Sequence, residues 1–220
     1  MCGRFVLFAS PDMLQAGFDL AAPPAGLAPR YNIAPTQPVA VIPNKGERTI
    51  EMFTWGLIPS WAKDRSIGSR MINARAETLA EKPAFRAAFR KRRCLIVANG
   101  FYEWKKEGTG KTPMFIRLAS QRPFAFAGLW EYWQPPGVEP VLSCTIITTD
   151  ANALVSPIHD RMPVILPASA YDLWLDPEPR EPAELMALLH PFEDEPLEAI
   201  AVSRLVNSPA NEGPTLVEPA

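Results

Sequence analysis

The chain has 220 residues, 47% of them hydrophobic, and a net charge of −2, enough to bury a substantial core as a single domain. No stretch approaches the roughly 18 uninterrupted apolar residues of a membrane span, and the N-terminus lacks the charged region, long apolar run and cleavage site of a secretory signal. Cys2, Cys94 and Cys144 are widely spaced with no C-x-x-C pair, which argues against a disulfide framework or zinc knuckle and sets the expectation of a reducing, cytoplasmic setting.

The chain starts Met1-Cys2-Gly3-Arg4-Phe5. Cysteine is small enough that Met1 is expected to be trimmed, leaving Cys2 as a 1,2-aminothiol. Its α-amine has an ordinary pKa of about 7.7–8.0 and its thiol about 8.5, so near pH 7 a useful fraction of the amine is uncharged. Such a pair attacks an aldehyde twice, nitrogen giving an imine and sulfur closing a five-membered thiazolidine on the same carbon. The competing reading is a plain cysteine at a frayed terminus.

Gly3 to Ala9 reads as a strand, and Ser10-Pro11 as the cap and first position of a helix running through Phe18. A Pro/Ala/Gly loop follows, then an extended segment from Pro29 to Thr36. Val39–Pro43 and Arg48–Trp55 read as a hairpin turning at Asn44-Lys45-Gly46. Trp55 belongs in the core. Trp61 follows a Gly/Pro turn beside Lys63 and Arg65, where an indole can stack on a nucleobase while the cations meet phosphate.

In Met71–Thr78 the polar residues Asn73, Arg75 and Glu77 alternate with apolar ones, so an extended backbone puts all three on one face. Pro83–Arg93 reads as a short basic amphipathic helix, its Arg90-Lys91-Arg92-Arg93 end either an anion-binding face or an ordinary solvated terminus. Between residues 62 and 122 there are 15 Lys/Arg against 5 Asp/Glu, whereas Asp172 to the end has 11 acidic residues against 2 basic ones. That asymmetry points to an anionic partner, with nucleic acid first in line.

Cys94–Trp104 begins as a buried strand and ends in Asn99-Gly100-Phe101-Tyr102-Glu103-Trp104. A carboxylate wedged between Tyr and Trp is either paired with an arginine or has its pKa raised by desolvation, which suits proton transfer. Pro113–Leu118, Phe124–Trp133 and Val141–Thr149 are further strands. Thr148–Asn152 forms a polar cluster able to cap a turn of helix, and Ser156 and His159 lie in the loop beyond, His159 between Pro-bounded turns beside Asp160 and Arg161. A loop histidine among charges suits chemistry, whereas His190 merely ends the helix Pro182–Leu189. Val164–Leu166, Ala170–Leu175 and Leu197–Val202 complete a strand, a helix and a late strand. About eight short strands and three or four short helices without βαβ rhythm predict an α+β domain. Its sheet is expected to be largely antiparallel, curled or closed into a small barrel, with a Pro-rich tail from about residue 205.

Six motifs, in order, carry a family resemblance: Met1–Phe5, Tyr31-Asn32-Ile33-Ala34-Pro35-Thr36, Trp55–Pro59, Asn73–Thr78, Gly100–Trp104 and His159–Pro163. The chain resembles the SOS response-associated peptidase (SRAP) domain proteins, which sense abasic sites in DNA, over roughly Cys2 to Arg204. The resemblance implies covalent attachment of DNA to Cys2, with Asn73, Glu103 and His159 lining the site and Arg4, Arg75 and Arg161 on phosphates. The expected DNA-contacting set is completed by Asn32, Trp61, Thr148 and Ser156. The implied partner is single-stranded DNA containing abasic sites, bound by a monomer that needs no metal, cofactor or membrane. Two other activities stay open: a peptidase acting on its own first peptide bond, accompanied by abasic-site lyase activity, and a non-covalent single-stranded DNA-binding domain.

Overall fold

The computed structural model describes residues 2–220. Its core is a closed ring of five strands: β3 (Pro38–Pro43), β4 (Glu51–Trp55), β6 (Arg93–Ala98), β9 (Phe124–Trp133) and β10 (Val141–Asp150). Starting from β10, the ring runs through β4, β3, β6 and β9 and returns to β10. Every pairing is antiparallel except β10 with β4, which aligns Cys144 with Trp55 in parallel. Closure removes the exposed strand edges that an open sheet would present to other chains. The ring is short of width, and Gly128 shows it: a Cβ there would lie 2.9 Å from the Cys94 sulfur and the Ile96 side chain.

Three short strands extend β10 and β9. β5 (Asn73–Arg75) runs parallel to β10 beyond the end of β4, β11 (Arg161–Pro163) lies antiparallel on β10, and β12 (Ile165–Leu166) lies on β9. A second, wholly antiparallel sheet has the order β13 (Leu197–Ala201), β8 (Gly110–Leu118), β7 (Gly100–Glu107), β1 (Phe5–Leu7), β2 (Arg30–Ile33). Four short helices cover the rest: α1 (Pro11–Phe18), α2 (Arg86–Lys91), α3 (Tyr171–Leu175) and α4 (Pro182–Met186). This is the α+β, largely antiparallel barrel-and-sheet expected from the pattern. Among the described residues no helix is long and apolar enough to cross a membrane.

Alternation along β1 and β7 gives the second sheet two buried faces. Phe5 and Phe101 point into the main core, where Phe5 packs edge-on against Trp55 at 5.1 Å between ring centroids. Val6, Tyr102 and Phe115 point the other way, into a smaller cluster with Val202 and Val206. Glu103, two residues after Phe101, shares the inner face.

Several local features follow from single residues. The Ser10 hydroxyl accepts from Met13 N at 3.3 Å and Pro11 opens α1, as the sequence predicts; such a cap stabilises a helix by about 1 kcal/mol. The run Cys94–Trp104 is two strands in different sheets rather than one. Asn99 makes the break: its side-chain oxygen accepts from Phe8 N and Ala9 N, both at 2.8 Å. Arg93 is no solvated helix end either. It is fully buried, donating to the carbonyls of Phe89, Arg90, Trp174 and Asp176. The stretch beyond 204 is ordered, with two 3-10 turns, Arg204–Asn207 and Pro214–Val217, packed on the second sheet.

Candidate active site at the start of the chain

The start of the chain enters where the two sheets meet. β1 delivers Cys2, β5 delivers Asn73, β7 delivers Glu103, and the loop from β10 to β11 delivers His159. Asn73 Nδ2 donates to the Cys2 carbonyl at 2.7 Å, fixing the cysteine backbone. Asn73 Oδ1 is buried with no hydrogen-bond partner among the described residues, an acceptor available to a ligand. Its placement is a product of β5, which pairs Asn73 with Ile146 of β10.

Glu103 is 3% exposed. Burial pushes its carboxyl above the usual range, and the charge of His159 pulls the other way, which brings the imidazole within electrostatic reach. Cys2 is completely buried, and burial together with the Glu103 charge drives its thiol well above the ordinary value. Burial thus favours the neutral form of the thiol. The Arg4 backbone N–H points at that sulfur.

His159 is held by its own turn. Asn152 Oδ1 accepts from Val155 N at 3.0 Å, capping the turn that the polar cluster Thr148–Asn152 suggested, and His159 N donates to Val155 O at 2.9 Å. His159 Nδ1 accepts from Arg161 N at 3.0 Å and lies 2.9 Å from Asp160 Oδ1. Nδ1 thus faces a backbone donor and a carboxylate oxygen at once. The site combines a buried acid, an imidazole, an amide and a cysteine, which together can shuttle protons around a carbonyl carbon.

The other expected contacts divide into two groups. Trp61 is 59% exposed and shares a shallow cavity with Lys63 and Arg70, and Arg75 and Ser156 are also exposed. These three face solvent as a DNA contact would. Arg161 is buried, its guanidinium forked onto Glu77 at 2.8 and 2.9 Å and also bonded to Asp150 and the Thr148 carbonyl. Glu77 sits in a 3-10 turn (Ala76–Thr78), so Asn73, Arg75 and Glu77 do not form the single extended face that their spacing suggests. Thr148 is fully buried, its hydroxyl without a partner among the described residues. Arg4 and Asn32 lie on the outer face of the second sheet, bonded to each other at 2.6 Å. Sequence reasoning missed Glu77 and Asp150 as the partners of Arg161. It also missed the 204–219 segment as the partner of Arg4; only folding brings those residues together.

The family model for SOS response associated peptidase (SRAP) matches residues 1–209. The chain is 49% identical over 222 residues to the abasic site processing protein YoqW of Bacillus subtilis (strain 168), covering 99% of both. It is 34% identical to the abasic site processing protein HMCES of Gallus gallus over 80% of this chain and 59% of that one. A crystal structure of a Bacteroides thetaiotaomicron protein, 30% identical, superposes with a TM-score of 0.88 over all of both chains. The chain belongs to the SOS response associated peptidase family.

Proposed function

We propose that this protein processes abasic sites in DNA, as its relatives' names say of them, by capturing the lesion covalently on Cys2. The observation that carries the reading is the placement of Asn73 and Glu103 on the residue that becomes the first once Met1 is removed, with His159 acting on Glu103. An abasic deoxyribose equilibrates with a ring-opened aldehyde at C1′, the electrophile a 1,2-aminothiol requires.

Proton transfers open the sugar: one group takes the proton of the C1′ hydroxyl while another gives a proton to the ring oxygen. His159 and Glu103, the latter held protonated more readily by burial, fit these roles. The Cys2 amine adds to C1′, and the carbinolamine loses its hydroxyl as water with a proton from Glu103. The Cys2 thiol then adds across the imine, sulfur bonding to C1′ and its proton passing to nitrogen. One water leaves overall, and no electrons are exchanged. Asn73 holds the Cys2 carbonyl so that nitrogen and sulfur address the same carbon.

The exposed Trp61 would stack on a base and Arg75 would meet a flanking phosphate, an arrangement suited to a splayed single strand. Arg161 reaches a phosphate only by releasing Glu77 or Asp150. Cys2 is fully buried in the chain that still carries Met1, so processing precedes capture. The Glu103 carboxyl lies within electrostatic reach of Cys2, which favours self-cleavage as that maturation step.

The test is a substitution series at residue 2, read on denaturing gels with a uracil-excised single-stranded oligonucleotide. Wild type should give an adduct that survives heat and detergent. Cys2→Ala and Cys2→Ser keep the amine, so they should yield only reversible imines, trapped by borohydride, with salt-sensitive binding retained. A heat-stable adduct from Cys2→Ala without borohydride would sink the reading.

A further inference from the structure

Arg4 sits two residues from the proposed nucleophile, and most of the polar atoms it offers are engaged by protein. Its backbone N–H points at the Cys2 sulfur, and its carbonyl accepts from Tyr102 N at 2.9 Å. Its Nη1 donates to Asn32 Oδ1 at 2.6 Å and to the Val206 carbonyl at 2.8 Å, and its guanidinium lies 5.9 Å from the Trp104 ring centroid. Its Nε is buried and unpaired among the described residues. At 9% exposure, with Nη1 spent on protein oxygens and Nε buried, this arginine has no forked pair of donors free for a phosphate.

Asn32 is fully buried and works from the other side. Its Nδ2 donates to the carbonyls of Ser208 and Asn211, each at 2.9 Å, and to that of Val206 at 3.3 Å. Further bonds pin the same segment. Tyr102, the neighbour of Glu103, donates its hydroxyl to the carbonyls of Tyr31 and Leu216. Trp104 Nε1 donates to Asn207 Oδ1 at 2.7 Å, and Glu212 accepts from Arg30 Nε and Tyr31 N. The segment from 204 to 219 therefore closes over the outer face of the two strands that carry Cys2 and Glu103 on their other side. Backbone carbonyls of this segment are thus gathered on one amide and one guanidinium.

We infer that Arg4 and Asn32 are positioning residues: with the 204–219 segment they form a clasp that sets the Cys2 sulfur for ring closure. The inference rests on the covalent reading above and departs from a phosphate role for Arg4. It splits rate from affinity. The clasp acts on the geometry of the reacting end, so loosening it slows chemistry in the bound complex and leaves DNA affinity alone.

The experiment measures two quantities for wild type, Arg4→Lys, Asn32→Asp and the double variant. One is the single-turnover rate of adduct formation at saturating uracil-excised oligonucleotide. The other is affinity across salt for the same oligonucleotide carrying a tetrahydrofuran lesion, which has no aldehyde. Asn32→Asp keeps the acceptor for Arg4 but loses the donor to three carbonyls. Each single variant should slow the saturated rate about tenfold, the cost of losing a buried hydrogen-bonded partner. The double variant should be no slower than the worse single, and affinity and salt slope should not move. A weaker affinity in Arg4→Lys for the tetrahydrofuran oligonucleotide would make Arg4 a phosphate contact and overturn the clasp. An unchanged rate in Asn32→Asp would overturn it as well. Glu212→Gln, at the exposed edge of the segment, covers failure of the buried variants to fold. A slower saturated rate at unchanged affinity supports the clasp, and an unchanged rate with hydrogen exchange showing 206–216 released refutes it. If wild type itself forms no adduct, the covalent reading fails; if only the variants behave as wild type, the clasp alone fails.

Discussion

Two glutamates of nearly equal burial show what separates structure from chemistry in this protein. Glu131, on β9 of the barrel, is 4% exposed and bonded to Arg92; Glu103, on β7 of the second sheet, is 3% exposed and faces Cys2 and His159. Burial raises both carboxyls. For Glu131 the pull downward comes from a guanidinium that is always charged, and the pair is fixed as an ion pair. For Glu103 the neighbours pulling downward include the His159 imidazole, and no guanidinium is among them. A buried carboxylate beside arginine holds a strand in place, and one beside imidazole and thiol can pass a proton.

Swapping each carboxyl for its amide separates the two roles. Glu103→Gln should slow adduct formation by about 10²–10⁴-fold, the usual contribution of a positioned general acid, with no loss of melting temperature. Glu131→Gln should leave the saturated rate unchanged, its effect confined to stability through the loss of Arg92's charge partner. Equal effects of the two substitutions on rate would erase the distinction. Asn73→Ala sits between them. It removes the donor to the Cys2 carbonyl and should cost about tenfold in rate, with affinity for a tetrahydrofuran-containing oligonucleotide retained.

The smallest effect is a pH crossover in stability. The folded value of Glu103 is raised, so its contribution is full below the unfolded value near pH 4.3 and is lost as pH rises through the folded value. Glu103→Gln should therefore be more stable than wild type at pH 7, the advantage fading in acid. Glu77 is held low, first by its hydrogen bond to Arg161, so its contribution is present above the unfolded value and lost as pH falls through the folded one. Glu77→Gln should be less stable at pH 7 by about 1 kcal/mol, its partly exposed pair being screened by solvent, with the deficit vanishing in acid. Thermal melts of both variants from pH 3 to 7 check the opposite signs.

Local chemistry was legible in the sequence wherever a single residue decides it. Ser10-Pro11 starts a helix, Asn152 caps a turn, and Trp55 belongs in a core, because each acts on its immediate neighbours. The site was legible as a set of unusual placements, a cysteine at position 2, a glutamate between aromatics and a histidine among charges. Sheet membership was not, since β6 and β7 read as one apolar run until Asn99 turns the chain from barrel to second sheet. Nor was the burial of Arg93, which depends on carbonyls of α3 some eighty residues later. The ends of the chain gave the poorest reading: a Pro-rich stretch after 205 reads as a tail, yet its carbonyls fit one asparagine side chain 170 residues upstream.

The covalent account meets its most direct test in the intact mass of the purified protein, alone and after incubation with a uracil-excised oligonucleotide. The account predicts a protein lacking Met1 that shifts upward by the mass of the oligonucleotide less one water, with Cys2 as the modified residue on peptide mapping. A protein that keeps Met1 yet forms the adduct, or an adduct mapped to any other residue, would contradict it.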